Sequence, residues 1–119
     1  MKTADQIVTE FVEAWKRADV EELLDFFADD AVWHPMPLEP VVGKAALRTA
    51  LTTWLSATQQ LDVVIHHQVS DGHVVMHERT DSLVFDGQRQ ETPVGAAFEV
   101  DDGLITAWRE YFDMSPYAS

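Results

Sequence analysis

The sequence predicts an α+β domain in which a curved, mixed but mostly antiparallel sheet wraps around three helices. Three observations carry this reading. Apolar residues recur at helical spacing through most of the first half, a period of two takes over at Leu61, and tight-turn dipeptides then punctuate the chain to its end. The predicted order is helix, helix, short strand, helix and four strands (α-α-β-α-β-β-β-β), one domain over residues 1–119.

Thr3 with Gln6 has capping-box spacing, and Ile7, Val8, Phe11, Val12 and Trp15 carry an amphipathic helix to about Arg17. Asp19 with Glu22 repeats the pattern for a short second helix, whose apolar side is Val20, Leu23, Leu24 and Phe27 and which ends at Ala28-Asp29-Asp30. Ala31 to His34 reads as a short strand cut off by Pro35, Pro37 and Pro40, because proline supplies no ladder donor. A third helix runs from about Lys44 to Ser56 on Leu47, Leu51, Trp54 and Leu55. Leu61, Val63, Ile65, His67 and Val69 alternate with Asp62, Val64, His66, Gln68 and Ser70, and Asp71-Gly72 turns the chain into a strand over His73–Phe85. Asp86-Gly87 leads to a strand over Gln88–Val100, and Asp101-Asp102-Gly103 to a last strand from Leu104 to about Asp113. The tail from Met114 carries no strong signal.

At 119 residues, 46% of them hydrophobic, the chain can bury a core without staples. It has no cysteine, so disulfides and thiolate chemistry are excluded. A formal net charge of −13, scattered along the chain, repels phosphate backbones and anionic lipid, so no nucleic-acid or membrane partner is expected. Met1 leads straight into the helical pattern without a basic-then-apolar leader, and a cytoplasmic location is the expectation. Apolar residues on both faces of the strands, such as Val63 and Val64 or Ala107 and Trp108, predict that the outer face is covered by a second copy in a homodimer.

One strand carries an anomaly. Arg79 and Asp81 share a face with Val75, Leu83 and Phe85, which sets a charge pair on an apolar surface. Buried ions need partners, and Asp113 at the end of the last strand is the expected third member. Two carboxylates around one guanidinium suit a paired acid and base: one takes a proton from water while the other gives one to a leaving oxygen. Keeping an aspartic acid protonated at neutral pH needs its pKa raised by about 3 units, roughly 4 kcal/mol, which burial beside a second carboxylate can supply. The competing reading is a structural ion pair that joins two strands.

Other residues give weaker signals. His66 and His67 face opposite sides of their strand, and His73 and His77 lie too far apart for a shared ligand, so no metal is expected. His77 shares the face of Arg79, which leaves it open to the pocket, to solvent or to a dimer contact. Trp15, Trp33, Trp54, Phe85, Phe98 and Tyr111 could wall a lipophilic pocket, although aromatic residues at such spacing more often make plain core.

Glu78-Arg79-Thr80-Asp81, Trp108-Arg109-Glu110-Tyr111-Phe112-Asp113 and Met36-Pro37-Leu38-Glu39-Pro40 together closely resemble the limonene-1,2-epoxide hydrolase family. The order of elements also resembles the wider cystatin-like cone fold shared with ketosteroid isomerase, scytalone dehydratase and nuclear transport factor 2. The resemblance implies cofactor-independent addition of water to a small lipophilic epoxide, giving a vicinal diol without a covalent enzyme ester. It implies Asp113 as base, Asp81 as acid and Arg79 as the bridge, with Trp33, His34 and Leu38 at the substrate and water. The family holds its water with a tyrosine and an asparagine, and the matching positions here are Trp33 and Pro35, so the water needs another anchor, such as His34 or a backbone carbonyl. The alternatives are another lyase, isomerase or cyclase of the same fold, or a non-enzymatic dimer that binds a small ligand.

Overall fold

Alternation along the strands divides the sheet into an apolar face that must be covered and a face that carries most of the charge, and the three helices supply the cover. The computed structural model describes residues 1–118. Helices α1 (Ala4–Trp15), α2 (Val20–Leu24) and α3 (Lys44–Ser56) accompany strands β1 (Phe27–Met36), β2 (Val41–Val42), β3 (Thr58–Ser70), β4 (Val74–Phe85), β5 (Gln88–Asp101) and β6 (Leu104–Tyr111). The six strands form one sheet in the order β2-β1-β6-β5-β4-β3, antiparallel except where β1 runs parallel to β6.

The local signals do what their chemistry requires. Thr3 and Gln6 close a reciprocal capping box on α1, and the Asp19 carboxylate accepts from the Glu21 and Glu22 amides to start α2. Asp86-Gly87 and Asp102-Gly103 have positive φ at both positions, the conformation that tight hairpins between right-twisted strands demand. The core centres on Phe11, whose ring meets those of Phe27, Phe98 and Trp108 edge-on at 5.3, 5.9 and 5.0 Å.

Several boundaries differ from the sequence expectation. The second helix stops at Leu24, because Phe27 enters the sheet with its ring against Phe11. The first strand does not end at His34 but continues through Pro35 to Met36; β2 reaches only Val32 and Trp33, so no partner on that side needs the missing Pro35 N–H. The two-residue β2 itself, inside the proline-rich loop, was not anticipated. The last strand ends at Tyr111, and a 3₁₀ turn over Ser115–Tyr117 follows.

Strand β3 carries a bulge between Ile65 and His67. The extra residue reverses the alternation beyond it, so Gln68 and not His67 continues the face of Val63 and Ile65. Val64, Val69, Met76 and Tyr111 stand exposed on the opposite, convex face. Among the described residues no helix is long and apolar enough to cross a membrane.

Candidate active site

A cavity of about 550 Å³ opens between the concave face of the sheet and α3. Trp54, Leu83, Phe85, Val94 and Phe112 make most of its wall apolar, and Asp81, Glu110 and the exposed Glu39 supply its carboxylates. Asp81 and Glu110 are both attached to Arg79. The guanidinium donates from Nε to Asp81 Oδ1 at 2.8 Å and from Nη2 to Asp81 Oδ2 at 3.1 Å, and Nη2 donates also to Glu110 Oε2. The Trp33 indole N–H donates to the other Glu110 oxygen at 2.8 Å. The Trp33 ring stacks on Trp108 at 4.8 Å and is thereby fixed in plane.

The register explains the convergence. His77, Ala96 and Glu110 lie in one row across β4, β5 and β6, and Arg79 and Val94 belong to the next row. Glu110 therefore meets Arg79 diagonally across β5, over a strand whose intervening side chain is only the Ala96 methyl.

This arrangement corrects one expectation. Asp113 does not join Arg79: β5 lies between the strands, β6 has already ended, and the exposed Asp113 carboxylate accepts from the Ser115 backbone N–H at 2.9 Å. That bond holds its pKa below the ordinary aspartate value. Glu110, three residues earlier, takes the place. The signal was available in the alternation, since Glu110 shares parity with the apolar pair Trp108 and Phe112, whereas Asp113 goes with Arg109 and Tyr111.

Electrostatics make the group distinctive. Arg79 is 5% exposed and Glu110 6%. Burial disfavours the Arg79 charge, but Glu110 and Asp81 more than offset this, and its pKa is raised. Burial pushes the Glu110 carboxyl up; Arg79 draws it back only in part, and the nearby Asp81 adds to the rise. One guanidinium balances one carboxylate, so in this dry setting the cluster is neutral when Asp81 and Glu110 hold a single proton between them. On the far side of Arg79, Nη1 donates to His77 Nε2 at 3.1 Å.

A family model, the limonene-1,2-epoxide hydrolase catalytic domain, matches residues 2–117. The chain belongs to this family. As a limonene-1,2-epoxide hydrolase family member it is 34% identical over 107 residues to the epoxide hydrolase EphG of Mycobacterium tuberculosis, covering 90% of this chain and 71% of that protein. It superimposes on the structure of an LEH-like epoxide hydrolase from M. tuberculosis with a TM-score of 0.82 at 33% identity, over 93% of this chain and 83% of the other. The cone fold extends to SalBIII, described as an epoxide hydrolase/cyclase-like enzyme in pyran ring formation, with a TM-score of 0.83 at 19% identity over 92% and 90% of the two chains.

The remaining expected residues divide. Trp33 and Leu38 line the cavity, as does Pro35 between them. His34 does not: it alternates with Trp33 and Pro35 and pairs with Arg109 in the sheet, so its ring cannot anchor a water in the cavity. Sequence reasoning missed Glu110 and also the hydroxyls of Thr92 and Tyr117, which hydrogen-bond to each other at the cavity wall. Among the described residues no three His, Asp or Glu side chains converge as metal ligands would.

Proposed function

We propose that this protein is a cofactor-independent epoxide hydrolase that adds water to a small lipophilic epoxide, with Glu110 as base, Asp81 as acid and Arg79 bridging them. The observation that carries the proposal is one arginine held between a buried carboxylate, Glu110, and a half-buried one, Asp81, on the wall of an apolar cavity. Glu110 accepts one donor on each oxygen, which leaves a lone pair on each for a water molecule. Its raised pKa makes it a stronger base than an exposed glutamate. As water loses a proton to Glu110, its oxygen forms the new C–O bond. The epoxide C–O bond breaks, and Asp81 delivers its proton to the oxide oxygen. The proton on Glu110 then has to return to Asp81 before the next cycle, and Arg79 keeps the proton affinities of the two carboxylates linked.

Incubation with limonene oxide, cyclohexene oxide and styrene oxide is expected to give diols. A single turnover in H₂¹⁸O is expected to place one labelled oxygen in the product, since no enzyme ester intervenes. Absence of diol across such a panel overturns the proposal.

A second reading rests on the water site. The Trp33 N–H is engaged by Glu110 and Pro35 has none, so neither position is free to hold water. The same acid–base pair could then activate a hydroxyl within the substrate. A hydroxy-epoxide that yields a cyclic ether in preference to a diol selects this reading.

We further propose a homodimer through the convex face, where Val64, Val69, Met76 and Tyr111 are exposed. Sedimentation of the wild type and of Met76→Lys checks it: a monomeric wild type refutes the dimer, and a dimer that dissociates in the variant places it on this face.

A further inference from the structure

Behind the Arg79 cluster lies a second polar row that the acid–base chemistry does not use. His77 is 5% exposed and stands beside the Phe98 ring at 5.3 Å. Its Nε2 lies 3.1 Å from Arg79 Nη1, and because arginine has only donors, Nε2 must be the acceptor. The proton of the neutral ring therefore sits on Nδ1, which donates to Gln68 Oε1 at 2.9 Å. That oxygen is oriented in turn: Gln68 Nε2 donates to Asp5 Oδ1 at 2.8 Å and to Thr9 Oγ1 at 3.0 Å, both on α1. Every donor meets an acceptor along this row, so reversing one member would set two donors or two acceptors face to face.

The sheet bends its own rules to complete the row. Without the bulge between Ile65 and His67, the alternation of β3 would bring His67 to the concave face and turn Gln68 away. With it, Gln68 lies directly opposite His77 in the β3–β4 register.

We propose that His77 and Gln68 are positioning residues, a relay that fixes the rotation of the Arg79 guanidinium so that its Nε edge meets Asp81 while Nη2 also reaches Glu110. This rests on the acid–base reading above and deepens it. Guanidinium planarity makes the relay effective: a ligand on Nη1 sets the orientation of all five N–H groups at once. His77 serves only while neutral. Burial, and then the Arg79 charge, hold its pKa down to about 3, so it remains an acceptor across the range in which the carboxylates work. The charged groups that face the row are Arg79, with Asp81 and Glu110 beyond it, and Asp5 at its far end.

Two measurements test the relay, one of them independent of turnover. In ¹⁵N-labelled wild-type protein, long-range imidazole correlations are expected to show His77 as the Nδ1–H tautomer without titration from pH 7 to pH 4.5. The Nε2–H tautomer, or titration near pH 6.5, overturns the proposal even if no substrate is found. In turnover, His77→Leu is expected to lower kcat about 10–100-fold and displace the pH profile, with KM little changed, because a hydrogen bond to a charged group is lost. His77→Gln, whose amide oxygen can still accept from Nη1, is expected to restore most of the rate. Gln68→Leu leaves His77 in place and is expected to release the fixed tautomer in the spectrum. If His77→Leu lowers only the melting temperature, with kcat and pH profile as in the wild type, the row is structural and the relay is refuted.

Discussion

The two faces of the sheet each carry an arginine, a carboxylate and a histidine, and they have nothing else in common. On the concave face, Arg79, Glu110 and His77 are buried beneath the helices and Asp81 is half-buried beside them. On the convex face, Arg109 Nη1 donates to Glu99 Oε2 at 2.6 Å, and His73 Nε2 lies 3.7 Å from Glu99 Oε1. Arg109 and Glu99 are each about a third exposed there, with side-chain accessibilities of 32% and 34%. Arg109 and Glu110 are adjacent in the chain, yet strand alternation sends one to water and the other to the interior. Residue type therefore decides little. Water screens the outer charges into a weak surface pair, whereas desolvation inside raises Glu110, lowers His77 and makes each charge depend on its partners.

Removing each arginine tests that contrast most strongly. Arg79→Met leaves the buried Glu110 and the half-buried Asp81 without a counter-ion and is expected to destabilise the protein by roughly 3–5 kcal/mol at pH 7. It is also expected to abolish turnover. The penalty is expected to shrink on acidification, because protonated carboxyls no longer repel each other. Arg109→Met is expected to change stability by less than about 1 kcal/mol, the range of exposed pairs. Denaturant unfolding of the two variants at pH 7 and pH 5 reads both. Equal losses would mean that burial does not separate the clusters.

Much of this contrast was legible in the sequence, and the failures are specific. The amphipathic helices, the hairpin turns and the Arg79-Asp81 pair follow from local periodicity and turn chemistry, which one strand or helix carries alone. What failed depended on a neighbour. Proline at position 35 reads as a strand stop unless it is known that β2 begins only at Val41 and leaves that side free. The bulge at β3 carries no proline or glycine, so nothing in Ile65-His66-His67 announces that Gln68 turns inward. The end of the last strand points to Asp113 as the third member of the charge cluster, but parity favours Glu110.

That last choice can be decided by two isosteric substitutions. Glu110→Gln keeps the shape of the side chain and its acceptor for Trp33 but removes the basic oxygen; it is expected to lower kcat by about 10²–10⁴, the usual contribution of a general base. Asp113→Asn is expected to do almost nothing. Its carboxylate is exposed, and an asparagine oxygen can accept the same Ser115 N–H, so the turn after β6 keeps its hydrogen bond. Turnover and pH profile should match the wild type. Only acid stability should respond, and in one direction: a depressed aspartate favours the folded state above its unfolded pKa and loses that advantage as pH falls below about 3.9, so the variant should lose less on strong acidification. If instead Asp113→Asn abolishes diol formation and Glu110→Gln spares it, the chain must rearrange beyond Tyr111 to bring Asp113 inside. The buried Glu110 would then be a strut for Arg79 and not a base.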